Sequence, residues 1–280
     1  MPALRLMRPK HWTKNLLVLA PLVFSPWSRY GGLWPRALLA VFYFTVASAA
    51  VYILNDIWDR SADSLHPVKR HLRPLAAGTV NLRSAQALFG VCCAILLTNL
   101  LYAREFAAPV WAYLTLNVAY DFKLKQLPVV DLFSGAFGLV LRPLAGAQAI
   151  GAPLSFWMFI STLSLALFIK ALERRQDMEA LDTAAPPASV IYTARLLDGY
   201  AAVAAAGALC FYSLWVFMVR PALAYSIVAV LFSVFRYWYV SETNPKLATA
   251  ADALFGDLPL ALGVAGWCGM CLAAVWTAQA

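Results

Sequence analysis

Apolar runs close to twenty residues long recur along almost the whole chain. A helix needs about 20 apolar residues to cross a bilayer. Nine stretches approach that length: Asn15–Leu33, Ala37–Trp58, Ser84–Ala103, Ala107–Tyr120, Val130–Ile150, Leu154–Ala171, Tyr200–Val219, Ala222–Val240 and Leu258–Thr277. Asn15–Leu33 holds Pro21 and Pro26, and Ala107–Tyr120 is short. No connector is long enough for a soluble domain. The expected fold is therefore all-α, a polytopic membrane bundle of about nine helices forming one domain over residues 1–280. The composition excludes the alternatives: with 62% hydrophobic and 13% charged residues, a soluble globule could not bury its apolar surface. The net charge of +8 then reads as a topology signal, with no nucleic-acid partner expected. The apolar N-terminal stretch lacks a small-residue cleavage site and is expected to be retained.

Charge distribution sets the expected orientation. Of 22 Lys and Arg, only Arg29, Arg36, Arg104 and Arg220 fall on the side opposite the N-terminus, with Arg142 inside a span. The positive-inside rule places the N-terminus in the cytoplasm and, with nine crossings, the C-terminus outside. Of 14 acids, only Glu105 lies on the outer side. Asp and Glu contribute little to orientation, so both signs crowded onto one face point to a site there.

The sharpest motif is Asn55-Asp56-x-x-Asp59-x-x-x-Asp63 at the end of the second run. On a continuous helix, offsets of three and seven place the carboxylates of Asp56, Asp59 and Asp63 on one face. Like charges in a last helical turn repel one another and oppose the helix dipole. A divalent cation would relieve both costs. Carboxylate oxygens without His or Cys suit Mg²⁺, which commonly also takes substrate phosphates. The Pro-bounded basic loop that follows holds Lys69, Arg70 and Arg73, cations suited to phosphate oxygens. Further candidates are Tyr120, Lys123 and Lys125 with Asp131; Lys170, Arg174 and Asp177 after the sixth run; and Arg142. A charge inside a span normally faces an interior or a cavity. The five Cys form no zinc pattern, although Cys268 and Cys271 make a C-x-x-C. Phosphate-loop, dinucleotide and Ser-His-Asp signatures are absent.

At these residues the chain resembles the UbiA-type superfamily of intramembrane prenyltransferases. It is most similar to the polyprenyl-phosphate (decaprenyl-phosphate) phosphoribosyltransferase branch. The resemblance rests on Arg8-Pro9-Lys10-His11-Trp12-Thr13-Lys14-Asn15, on Asn55 to Gly78, on Tyr120 to Asp131, and on Arg142 with Ala145-Gly146. It departs from the branch after the sixth run, where Glu173 stands in place of an expected Lys. It implies Mg²⁺-dependent transfer of 5-phosphoribose from phosphoribosyl diphosphate to a polyprenyl phosphate, for a cell-envelope pentose donor. It further implies metal ligation by Asp56, Asp59 and Asp63. Substrate binding would fall to Lys10, Lys14, Asn15, Asn55, Lys69, Arg70, Arg73, Tyr120, Lys123, Lys125, Asp131, Arg142, Arg174 and Asp177. An ordinary prenyltransferase using prenyl diphosphate and an aromatic or other small acceptor stays open. A transporter is disfavoured, because no internal repeat is visible and the polar residues gather at one face.

Overall fold

The structure, a computed structural model, describes residues 2–25, 31–65, 73–181, 192–244, 247 and 249–277. The described residues are helical with turns between, as expected for an all-α chain. The helices are α1 (Pro2–Leu6), α2 (Ala20–Val23), α3 (Trp34–Trp58), α4 (Arg60–Leu65), α5 (Leu82–Tyr102) and α6 (Ala107–Phe122). They continue with α7 (Val130–Ile150), α8 (Phe156–Leu181), α9 (Ala194–Val219), α10 (Ser226–Thr243), α11 (Ala250–Gly256) and α12 (Leu258–Thr277). A 3₁₀ segment, Pro9–Leu19, joins α1 to α2.

Six helices among the described residues are long and apolar enough to cross a membrane: α3, α5, α7, α8, α9 and α12. Three of the nine expected spans differ, for physical reasons. The first is broken into the 3₁₀ segment and the four-residue α2. The fourth, α6, has only 16 residues. The eighth, α10, carries Arg236 and Glu242 within its 18 residues.

Side-chain caps mark several starts. Asn81 accepts from Ser84 N–H at 2.7 Å before α5, and Thr193 from Leu196 N–H at 3.3 Å before α9. Each satisfies one of the free donors at a helix start.

The chain forms two compact units. One comprises residues 1–22, 30–123 and 141–153; the other comprises 23–29, 124–140 and 154–280. In the first, α3 packs against α5, α6 and the 3₁₀ segment. Its core gathers Phe44, Ile53, Leu96, Phe106 and Val110 around a run of buried alanines on α3. Small residues let backbones approach closely where lipid provides no hydrophobic drive. In the second, α8 pairs along α9, and α10 along α12. Phe168, Leu172, Ala201, Val234 and Tyr237 fill the centre.

Within the first unit, one polar network fixes the 3₁₀ segment. Arg142 is 4% exposed and Asn15 fully buried. Arg142 Nε donates to Asn15 Oδ1 at 2.9 Å. Ser48 Oγ donates to the same oxygen, and Asn15 Nδ2 donates to Thr45 Oγ1. The Arg142 guanidinium lies 4.9 Å from the centre of the Tyr113 ring and 5.6 Å from that of Phe44. A buried charge needs such pairing, because an unsatisfied one is expensive. One turn further along α7, a Cβ on Gly146 would overlap the Val18 carbonyl. Only glycine permits that approach.

Two glycine substitutions of opposite sign check this packing. Gly146→Ala is expected to cost about 1–3 kcal/mol through overpacking. Gly90→Ala on α5, where a Cβ meets nothing within 4 Å, is expected to be neutral or to stabilise by up to about 1 kcal/mol. Melting curves of the detergent-solubilised protein read both; equal shifts for the two variants would contradict the close approach.

Candidate functional site

The acidic motif lies entirely in the first unit. Helix α3 ends at Trp58, and Asp59 caps it, its N–H donating to the Asn55 carbonyl at 2.9 Å. A new helix, α4, begins at Arg60. The expectation of one continuous helical face is therefore corrected: Asp56 belongs to the last turn of α3 and Asp63 to α4. Among the described residues, no three His, Cys, Asp or Glu side chains form a ready-made metal cluster.

Asp56 is 2% exposed and Asp63 is 4% exposed; Asp59 is half-buried. Buried carboxylates require counter-charges, and here they have them. Asp56 Oδ1 takes Arg8 Nη2 at 2.5 Å and Arg73 Nη1 as well. Arg73 Nε also lies 3.7 Å from Asp63 Oδ2, so one guanidinium bridges two acids. Asp56 Oδ2 is buried and accepts no hydrogen bond from the described residues, and Asn55 Oδ1 is in the same position. Such orphaned acceptors call for an explanation. The oxygen atoms of Asp56 and Asn55 would suit a hard divalent cation.

Arg8 is a residue that sequence reasoning quoted only as part of a motif. Its signal in the chain was its place directly before Pro9. It sits at φ 48 in the left-handed region, with its guanidinium 4.8 Å from the centre of the Tyr52 ring. That geometry turns its side chain from the start of the 3₁₀ segment onto Asp56.

The other candidates of this unit are placed as follows. Asn55 Nδ2 donates to Asp121 Oδ1 at 3.2 Å, which ties the end of α3 to the end of α6. Trp58 and Phe122 pack edge to face beside that contact, their centres 4.3 Å apart. Tyr120 is half-buried on α6, and Lys123, just past its end, is exposed. Lys14 is half-buried on the 3₁₀ segment. With three residues per turn there, positions 10 and 14 do not share the face that an α-helix would give them. Lys69 and Arg70, and the side chain of Lys10, lie outside the described residues. Asn15 and Arg142 are brought together, each engaged with the other as described above.

The second unit assembles its own constellation. Asp131, 6% exposed, sits in the first turn of α7. Its Oδ1 accepts the Tyr192 hydroxyl at 2.5 Å, and its Oδ2 lies 3.6 Å from Arg174 Nε. The Tyr192 hydroxyl in turn accepts the Val129 N–H. Val129 has φ 69, a conformation costing a β-branched residue about 1–3 kcal/mol. Burial and the bond to Asp131 push the Tyr192 hydroxyl up to about 12, so it stays a donor. The Asp131 carboxylate thus has two side-chain partners from other elements.

On α8, Lys170 pairs with Glu173 at 2.6 Å. A Cβ on Gly135 would come within 3.0 Å of Lys170 Cδ, so α7 admits the Lys170 stem one turn after Asp131. Asp177 is exposed, and Lys125 is half-buried in the 3₁₀ turn Leu124–Gln126. Arg175 joins α8 to Asp198 and Glu242, each at 2.7 Å. Arg236 grips Asp257 through two hydrogen bonds of 2.9 and 2.8 Å, which hold that carboxyl below the usual carboxylate range.

Residues 17–258 match the description of the UbiA prenyltransferase family. The chain belongs to the UbiA family. It is 31% identical over 222 residues to the decaprenyl-phosphate phosphoribosyltransferase of Mycolicibacterium smegmatis, covering 76% of this chain and 70% of that one. A 4-hydroxybenzoate octaprenyltransferase of Actinobacillus pleuropneumoniae is 34% identical over 161 residues, 55% of this chain and 54% of that one. In fold, the chain is similar to a UbiA homolog from Archaeoglobus fulgidus solved with GPP and Mg²⁺, with a TM-score of 0.73, 20% identity, and coverage of 98% of this chain and 99% of that one. This UbiA-family protein is an integral membrane transferase.

The charge balance at Asp56 predicts a rescue. Arg8→Ala with Arg73→Ala leaves a buried carboxylate unpaired and is expected to destabilise by about 3 kcal/mol. Adding Asp56→Asn to that double variant should restore most of the loss. Melting temperatures of the three forms decide it; a triple variant no more stable than the double one refutes the pairing.

Proposed function

We propose that the chain transfers 5-phosphoribose from phosphoribosyl diphosphate to a polyprenyl phosphate, releasing diphosphate. The observation that carries the donor assignment is the sustained identity to a relative bearing that activity in its name, over most of both chains. The acid-and-guanidinium pairing at the end of α3 supports the diphosphate part. Asp56, Asp59 and Asp63 would hold Mg²⁺ through their carboxylate oxygens, with Asp56 Oδ2 as the first donor. Mg²⁺ would supply neutralising charge for the departing diphosphate. Arg8 and Arg73, at Asp56 in this structure, would take diphosphate oxygens by charge-assisted hydrogen bonds. Asn55, steadied by Asp121, would orient the ligand from the same turn.

In the step itself, an oxygen of the lipid phosphate attacks the anomeric carbon. The bond from that carbon to the diphosphate oxygen breaks, and its electron pair leaves with diphosphate. The donor's 5-phosphate needs separate cations, and Lys10, Lys14, Lys69, Arg70, Lys123 and Lys125 are the candidates, with Tyr120 nearby in sequence. Arg174 and Asp131, with Asp177, are assigned to the acceptor phosphate and its approach. Asn15 and Arg142 serve the site by fixing the 3₁₀ segment that carries Arg8 and Lys14. The family match runs through both units, which supports reading residues 1–280 as a single catalytic domain. The product would feed cell-envelope pentose donor synthesis.

The proposed setting is the inner cell membrane, with the N-terminus and the Asp56 end cytoplasmic. Six crossings alone would return the C-terminus to the cytoplasmic side. A cytoplasmic Asp56 end requires the 3₁₀ segment with α2 to cross before α3, and the nine expected crossings, with α6 and α10 as well, put the C-terminus outside. A second reading, prenyl transfer from a prenyl diphosphate to a small aromatic acceptor, is favoured by the octaprenyltransferase relative.

Purified protein with Mg²⁺, labelled phosphoribosyl diphosphate and a polyprenyl phosphate is expected to form labelled lipid. Prenyl diphosphate with 4-hydroxybenzoate is expected to give none. Asp56→Asn or EDTA should lower turnover at least a hundredfold, the order lost with a group that stabilises developing charge. Product only from prenyl diphosphate would transfer the assignment to the second reading, and full activity in EDTA would remove the metal.

A further inference from the structure

Tyr192 carries no role in the transfer described above, yet it lies at the centre of the Asp131 cluster. It is 5% exposed and precedes α9 by two residues. Its ring packs in a cluster with Leu132, Leu197 and Met178 and meets Tyr200 nearly at right angles. Its hydroxyl makes two directed bonds. It accepts the N–H of Val129, which adopts the left-handed conformation just before α7. It donates to Asp131 Oδ1 at 2.5 Å.

The two bonds have one consequence for Asp131. Helix α7 accounts for the local backbone: Asp131 N–H donates to the Leu127 carbonyl, and Phe133 N–H to the Val129 carbonyl. The Asp131 side chain is therefore not spent on capping its own helix. With Oδ1 held by Tyr192, the carboxylate cannot rotate freely about its last bond. Oδ2 is left toward Arg174, at 3.6 Å, longer than a direct hydrogen bond. A carboxylate with one oxygen fixed and the other only loosely engaged is suited to directing a cation toward a third group. Tyr192 suits the task because a phenol, unlike Lys or Arg, donates without adding charge. Burial also keeps its proton in place through the physiological range.

We propose that Tyr192 is a positioning residue for Asp131, fixing one carboxylate oxygen, through a hydroxyl anchored by the Val129 N–H, so that the other orients Arg174 toward the acceptor phosphate. The inference rests on the assignment of Asp131 and Arg174 to the acceptor made above.

The test is a double-mutant cycle on the full chain in detergent or nanodiscs, with Tyr192→Phe, Asp131→Asn and the pair. Phe retains the ring packing and removes only the hydroxyl. Tyr192→Phe should lower kcat about tenfold, the value of one hydrogen bond to a charged group. KM for phosphoribosyl diphosphate should stay within about twofold, and the melting temperature close to the parent's. The pair should be no slower than Asp131→Asn alone, because the hydroxyl acts only through that carboxylate. Unchanged kcat in Tyr192→Phe, with Asp131→Asn impaired, overturns the inference and leaves the Asp131 assignment standing. Wild-type kcat in Asp131→Asn instead overturns that assignment itself. If Tyr192→Phe melts several degrees lower and its loss multiplies with that of Asp131→Asn, Tyr192 is merely structural and the inference fails. If Tyr192→Phe does not fold at all, the hydroxyl is structural and the inference is likewise overturned.

Discussion

A carboxylate buried at the end of an apolar helix can persist only with its charge matched, and Asp56 is such a group. Two guanidinium groups, Arg8 and Arg73, converge on one of its oxygens. They come from opposite sides in the chain, one 48 residues before Asp56 and the other 17 after it. The pairing thus fastens the N-terminal segment and the stretch after α4 to the same helix end. It also leaves the second Asp56 oxygen without a hydrogen bond from the described residues. A site meant only for stability would have little reason to orphan that atom, because an unsatisfied buried acceptor costs about 1–3 kcal/mol. A ligand carrying positive charge would offset that cost.

The same economy of charge governs the interior. Arg142 would be prohibitive in a lipid-facing span, yet it is enclosed by Asn15, Tyr113 and Phe44. The partner it selects, Asn15, belongs to a segment too broken to hold its place as a helix. Ring faces and an amide oxygen turn a costly charge into a fastener. The missing side chain at Gly146 lets the two backbones close beneath it. The placement of the segment that starts at Arg8 therefore depends on α7.

In the second unit, Asp131 follows the opposite logic. Its neighbours are one cation at 3.6 Å and one neutral donor at 2.5 Å. This carboxylate is oriented rather than neutralised, and the local backbone is strained to do it. Elsewhere in that unit the ion pairs are fasteners between helices: Arg175 to Asp198 and Glu242, and Arg236 to Asp257. Lys170 with Glu173 is the local i,i+3 pair. The departure at Glu173 acquires a physical sense here. Glu173 holds the ammonium of Lys170, one turn back, and the bare Cα of Gly135 makes room for its stem.

Much of this was legible in the chain before any folding. Apolar run length decides that the protein is helical and lodged in a membrane, because lipid offers backbone groups no other partner. The spacing of Asn55, Asp56, Asp59 and Asp63, with bases soon after, marks where anionic and cationic chemistry meet, since those residue types are costly anywhere else. Such local arithmetic could not see a helix ending at Trp58, which moves Asp63 onto another element. Nor could it see a 3₁₀ segment, whose three-residue turn separates Lys10 from Lys14. Pairings between distant residues were invisible for a more general reason. Arg8 with Asp56, Arg142 with Asn15 and Tyr192 with Asp131 are separated by 48, 127 and 61 positions. No periodicity links them, and each is chosen by which buried charge most needs a partner once the helices have packed. Sequence by itself determined the kind of fold and the kind of chemistry, through composition and spacing; tertiary structure alone decided which charges neutralise each other and which oxygens stay available, because burial sets the cost of leaving a charge unpaired.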